Sequence, residues 1–152
     1  ALDAEPPKSH WGKIFTWGIP ALLVFFLVYG FFIGGASTSV EMISYWSLAT
    51  AISAAVGAIA ALAHPLTIAS AAVSAPIATI HPLIATGWVA GLVEACLRKP
   101  KVLDLENISN DITTIRGIWH NRLSRILIII AFTNLGAMIG MFVGVPLVAS
   151  LL

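Results

Sequence analysis

Apolar residues fill long stretches of this chain almost without interruption, and polar residues collect between them. The run over 14–34 is nearly pure hydrocarbon. It is longer than the apolar core of a signal peptide and has no small-residue cleavage site after it, so it predicts a first transmembrane helix. The polar turn Gly34-Gly35-Ala36-Ser37-Thr38-Ser39 ends it. A second apolar span rich in Ala, Ser and Gly follows over 43–63, and Arg125 opens a last one over 126–152. Each is long enough to cross a hydrocarbon core of about 30 Å. Trp11 and Trp17 fit an aromatic belt at the start of the first span.

The pattern breaks between the second span and the last. The triplet His-Pro-Leu occurs at His64 and again at His81, with Pro76 between the copies. Proline removes a backbone donor and clashes with the preceding turn, so Pro65, Pro76 and Pro82 are each expected to end, kink or restart a helix. They leave a segment over 66–80, bent at Pro76, and a second over 83–98. At about 1.5 Å per residue the first reaches only about 22 Å. It either crosses as a short broken helix or dips in as a re-entrant loop. Beyond it, Val102, Leu105, Ile108, Ile112, Ile115 and Trp119 recur at helical spacing, with Asp104, Glu106, Asn107, Asn110, Asp111 and Thr114 off that stripe. This predicts an amphipathic helix over 102–119, on the membrane surface or capping the bundle.

Composition agrees with the membrane class, because 59% hydrophobic and 10% charged residues leave too little polar surface for water. The lipid bilayer is then the first partner. A net charge of +1 without a basic stripe excludes nucleic acid. Cys96, the single cysteine, allows neither an intrachain disulfide nor a cysteine metal framework.

Residues 1–13 read as a linker or the end of a soluble domain, and 14–152 as the transmembrane domain. Arg98, Lys99, Lys101, Arg116, Arg122 and Arg125 flank or lie within the loop after 83–98, which places that loop inside. Lys8 and Lys13 precede the first span, and the turn over 34–42 has no base and one acid, Glu41. If 66–80 crosses, all eight basic residues share one side. Charge placement therefore favours five crossings with the amino terminus inside and the carboxyl terminus outside, and the re-entrant alternative stays open. The expected fold is an all-α polytopic membrane helix bundle with a proline-broken short helix pair and one interfacial amphipathic helix.

Small residues at four-residue spacing form three rows: Ser53, Gly57 and Ala61; Gly87, Gly91 and Ala95; Gly136, Gly140 and Gly144. Such rows let helices approach closely in lipid, within one chain or in a homo-oligomer. The candidate intramembrane polar residues are His64, His81, Glu94, Arg98 and Asn134. Glu94 stands four residues before Arg98, the better order for a helical ion pair. His64 and His81 could cap short helices or satisfy carbonyls freed by the prolines, or as a weaker alternative bind a metal or shuttle protons. Asn134 suits a hydrogen bond across a helix interface. No hydrolytic triad, Walker loop, HExxH or dinucleotide fingerprint occurs, so no catalytic residue and no cofactor is assigned to this chain.

The stretch "AHPLTIASAAVSAPIATIHPLIATGWVAGLVEACLRKPKVLDLE", followed by "GIWHNRLSRILIIIAFTNLGAMIG", resembles the carboxyl-terminal membrane region of the TraB/PrgY pheromone-shutdown family. The proline breaks, Gly87-Trp88-Val89-Ala90-Gly91, Glu94, Arg98-Lys99-Pro100 and Thr133-Asn134-Leu135-Gly136 carry the likeness. His81 and Leu105 depart from the pattern, standing where asparagine and an aromatic residue are expected. The resemblance implies a full-length protein with an amino-terminal soluble domain similar to a metalloprotease-like superfamily, absent from this chain, whose catalytic residues map to no position here. It also implies a prokaryotic plasma membrane and a role in limiting peptide signals. That role would suit an outward-facing soluble domain, against the orientation read from charge. Two functions follow as expectations: an anchor that oligomerises the missing domain, or a transporter or channel that uses the broken segment as a polar path.

Overall fold

A computed structural model describes residues 10–80, 85–111 and 113–152. Within them the chain is all-helical. The first helix, α1 (His10–Ala60), is interrupted only at Gly35, whose φ of 75° and ψ of −169° form a conformation open to glycine alone. The two arms fold back on one another there. Ser39 Oγ donates to Leu27 O at 3.0 Å across the hairpin, and Met42 packs against Gly30. The turn is tighter than the polar run Gly34 to Ser39 predicts, because Thr38 Oγ1 donates to Gly34 O at 3.1 Å and the second arm winds up at once.

α1 closes on a Schellman-type end: Leu62 N donates to Ile59 O at 2.8 Å and Ala63 N to Ala58 O at 3.0 Å. Leu62, not glycine, takes the left-handed position, at φ 52°. Next come α2 (Pro65–Ile80) and α3 (Thr86–Arg98). Three short helices follow, α4 (Val102–Glu106), α5 (Ile108–Asp111) and α6 (Ile115–His120), and then α7 (Arg122–Ala149).

Successive long helices run antiparallel. Gly57 meets Phe132 O, Gly136 meets Ser53 O, and Gly140 meets Ala49 O and Thr50 Cα, which aligns the second arm of α1 against α7 along most of their length. Ala54 packs with Ala75 and Ala137, and Ala58 and Ala61 with Ala71, Ala90 and Ile129. The end of α1, the start of α2, the end of α3 and the start of α7 thus share one pole, called here the basic end. Gly35 and the end of α7 lie at the other.

Packing changes along the axis. Near the basic end, the second arm of α1 packs with α2, α3 and α7 through alanines. Toward the Gly35 end the core is larger-grained, with Leu23, Met42, Trp46 and Val148 joining the α1 arms to α7. No described residue of α2 or α3 belongs to that second part. Gly87, at the start of α3, lies beside Asn134, roughly 18 Å along α7 from Arg122. By Ala75, α2 has reached the level of Ala137. Among the described residues, α2 therefore runs away from the basic end and α3 runs back toward it.

Two expectations change in detail. The segment over 66–80 does not break at Pro76: α2 is one helix of 16 residues through it. Buried Ala71, Ala75 and Ala78 hold that face against its neighbours, and packing outweighs the hydrogen bond proline removes. The amphipathic helix predicted over 102–119 is wound instead as α4, α5 and α6. The cause is Asn121, which draws α4 and α5 back toward the start of α7, with Gly117 backed against Asp111 O.

Among the described residues, Ala21–Ala60, which folds back at Gly35, and Arg122–Ala149 carry apolar windows long enough to cross a membrane. Only 11% and 33% of their most apolar windows is buried, whereas the core helix of a soluble protein would be mostly buried. Phe32, Val73, Leu92 and Phe142 are among the large apolar side chains facing outward.

Candidate functional site

The polar chemistry gathers at the basic end. Helix ends leave backbone groups without intrahelical partners, and here four such ends meet. At the start of α2, Pro65 occupies the first helical position, where its missing N–H costs nothing. His64 precedes it, and its Nδ1 accepts from Leu66 N at 3.3 Å as an N-cap would. With Nδ1 accepting, the neutral imidazole carries its proton on Nε2.

Glu94 comes in from α3. It is fully buried, and its Oε2 accepts from His64 N at 3.1 Å and from Thr67 Oγ1 at 2.5 Å. In a capping box, a Glu at the third helical position reaches back to the N-cap N–H. Thr67 holds that position in α2, and Glu94 supplies the carboxylate from another helix. Its Oε1 pairs with Arg98 Nε one turn along α3, and the Arg98 side chain is 27% exposed. Both carboxylate oxygens are thus engaged, the condition under which a buried charge is tolerable.

Two further arginines close the C-terminal ends of α1 and α3, where the helix dipole favours cations. Arg125 Nη2 donates to Leu62 O at 2.8 Å, and its guanidinium lies 5.8 Å from the Trp119 ring centroid. Arg122 Nη1 reaches Arg98 O at 3.3 Å and Lys99 O at 3.4 Å. Asn121 caps α7 by accepting from Leu123 N at 2.9 Å and Ser124 N at 3.2 Å. Its amide donates to Asp104 O at 2.7 Å and Asp111 Oδ2 at 2.8 Å, so one buried side chain fixes the loop to the bundle.

His64, Glu94, Leu97, Arg98 and Arg122 line a cleft of about 360 Å³ between the start of α2, the end of α3 and the start of α7. His64, Glu94 and Arg98 from the sequence reading come together there. Asn134 does not join them: it accepts from Gly87 N at 2.7 Å deeper in the bundle. His81 lies outside the described residues. Among those described, no three His, Cys, Asp or Glu side chains group to hold a metal ion. The five packing glycines sit in contacts within the chain: Gly87 and Gly91 against α7, and Gly136, Gly140 and Gly144 against α1.

Sequence reasoning passed over Thr67, Arg122, Arg125 and Asn121 as site residues. Thr67 had a signal in its place three residues after an N-cap. Asn121 had one too, as a capping residue type four positions before Arg125 opens the last apolar run. The arginines were weighed only as markers of sidedness, and nothing local in the sequence ties Arg125 to a carbonyl 63 residues away.

A protein of Methanocaldococcus jannaschii described as uncharacterized is 34% identical over 145 residues, which cover 93% of this chain and 36% of that protein. The chain thus spans about a third of the length of this relative. No solved structure matches it. The profile of the TraB family protein C-terminal domain matches residues 11–152, nearly the whole chain, so the chain belongs to the TraB family and carries its C-terminal domain.

Proposed function

We propose that this domain is the integral membrane anchor of a TraB-family protein, holding a soluble domain at the membrane surface on the side of the basic end. The observation that carries the reading is the division of its surface. Apolar side chains cover the outside of α1 and α7, while Arg98, Lys99, Lys101, Arg116, Arg122 and Arg125 collect at one pole. A bilayer sorts side chains in this way, with cations held at the cytoplasmic face. The first arm of α1 runs antiparallel to the second, so a domain preceding it would sit at the basic end. A domain so placed faces the cytoplasm, so a role in limiting peptide signals would be exercised on that side, at a place this domain fixes.

Self-association belongs to the same reading. An apolar groove of about 280 Å³ runs between the second arm of α1 and α7, with Gly57 and Gly136 among its lining and Ile52, Val56, Phe132 and Leu135 beside them. A transporter is less well supported. The space between the helices near the basic end is filled by Ala58, Ala61, Ala71 and Ala90, all fully buried, and Glu94 is committed to holding helix ends.

Sidedness tests the anchor. With Cys96 replaced by alanine, single cysteines at His10, Thr38 and Asn110 are labelled from either face of sealed vesicles. The expected result is 10 and 110 on one face and 38 on the other. Labelling of 10 and 110 from opposite faces, or extraction of the chain by carbonate, would refute the reading. Solute flux lost in Glu94→Gln would favour the transporter.

A further inference from the structure

The cleft at the basic end has a composition that the clamp of helix ends does not require. Three donor groups border it. Arg98 spends Nε on Glu94, and its other guanidinium nitrogens meet no protein acceptor among the described residues. Arg122 touches two carbonyls through Nη1 alone, at the long distances of 3.3 and 3.4 Å. His64, anchored through Nδ1, has Nε2–H to offer. The single carboxylate at the site, Glu94, has both oxygens bound within the protein, so two guanidiniums face one neutralising charge. Arg125, bound to Leu62 O two residues before His64, adds to the positive field.

Guanidinium forks match the oxygens of a phosphate group, and basic pockets between membrane helices on the cytoplasmic side suit acidic headgroups. The volume of about 360 Å³ falls in the lower part of the ~300–1,000 Å³ range of small-molecule sites. Leu62, Leu66 and Leu97 beside it are exposed and apolar, and Trp119 lies under Arg125. These mark the depth at which hydrocarbon gives way to headgroups.

We propose that the cleft between the start of α2, the end of α3 and the start of α7 binds a phosphate group, that of an acidic phospholipid or of a soluble phosphoester, through Arg98, Arg122 and His64. The lipid form rests on the membrane reading above. A bound phosphate would also tie α2, α3 and α7 together, so occupancy should stabilise the clamp.

The test is thermal unfolding of the chain in a neutral detergent, titrated separately with short-chain phosphatidylglycerol, short-chain phosphatidylcholine and glycerol phosphate. At ten times its dissociation constant a ligand specific to the native state should raise the midpoint by about 3–6 °C. Phosphatidylglycerol should do so and phosphatidylcholine should not. Arg116→Gln, outside the cleft, should keep the response, while Arg122→Gln should abolish it. If Arg122→Gln fails to fold, Arg122→Lys keeps the charge without the fork and should reduce the response. A response to glycerol phosphate as large as that to the lipid assigns the cleft to a soluble phosphoester; a response to phosphatidylglycerol alone assigns it to the headgroup. Equal effects of the two lipids without one from glycerol phosphate, or equal losses in Arg116→Gln and the Arg122 variant, would overturn the proposal. Flotation with phosphatidylcholine vesicles reads the membrane anchor separately, because a chain that fails to float can still answer to glycerol phosphate.

Discussion

Replacing Glu94 by leucine removes a group that accepts twice from the start of α2 and once from Arg98. His64 N, Thr67 Oγ1 and Arg98 Nε then lose their acceptor together. Removing one partner of a buried ion pair costs about 3–5 kcal/mol, much of it from the charge left behind. Arg98 is 27% exposed and can swing toward water, which puts its share at the low end. Thr67 Oγ1 is fully buried and has no such escape, whereas exposed His64 can turn its N–H to water from the cleft; an orphaned buried donor costs roughly 1–3 kcal/mol. With about 3 kcal/mol for the pair and about 1 for the hydroxyl, a loss of about 4 kcal/mol follows. For a domain of this length each kcal/mol moves the midpoint by about 2–4 °C, so Glu94→Leu should melt roughly 10 °C lower in detergent micelles, followed by tryptophan fluorescence. Glu94→Gln should cost less. Its amide oxygen can serve both donors that share Oε2, and only Arg98 then faces an N–H. Adding Arg98→Leu to Glu94→Leu should recover part of the loss, because the stranded cation is gone. A Glu94→Leu midpoint within 1–2 °C of the exposed control Glu106→Gln would refute this account of the clamp.

Two other substitutions probe the packing and the loop. A Cβ on Gly140 would lie 2.8 Å from Ala49 O and from Thr50 Cα, both backbone atoms. Gly140→Leu should therefore force α1 and α7 apart and lower stability by about 1–3 kcal/mol or more, while Gly18→Ala, inside α1 with nothing within 4 Å, should hold or slightly raise the midpoint. Asn121→Ala removes the N-cap of α7, worth about 1 kcal/mol, and with it both tethers to α4 and α5. It should speed amide exchange and proteolysis over 102–111 far more than in the bundle, and protection equal to the wild type would contradict the role given to Asn121.

The long helices were legible because their signal is local. A hydrocarbon run of about 20 residues needs no partner to be recognised, and a Gly-Gly pair followed by Ser and Thr marks a turn by its own chemistry. Glu94 and Arg98 stood out because a spacing of four places them on one face of a helix. Their purpose was not legible. The acceptor sites of Glu94 are filled by His64 and Thr67, 30 and 27 residues away, and only the antiparallel pairing of α2 and α3 brings them there. The loop misled for a related reason: apolar spacing over 102–119 is correct for a helix, but periodicity has no term for a side chain from the next element that pulls the segment into three turns.

The prolines carry the deeper lesson about this fold. A proline can only free a backbone carbonyl, and whether the helix then breaks depends on how firmly its neighbours hold it together. Pro65 opens a helix at the position that suits it, while Pro76 is carried inside α2 because alanines on that face are clamped by α1 and α7. The short length of α2 and α3 then acquires a structural meaning. At about 24 and 20 Å neither matches α7, at about 42 Å. In lipid the apolar contacts of this helix pair give little preference for protein over acyl chains. What fastens it is polar and lies at its open end: Glu94 to His64 and Thr67, Arg122 to the last carbonyls of α3, and Arg125 to the carbonyl just before α2. On the membrane reading proposed above, the cations that would set the sidedness of the chain are the same ones that hold its short helices in place, so neutralising them should disturb orientation and packing together.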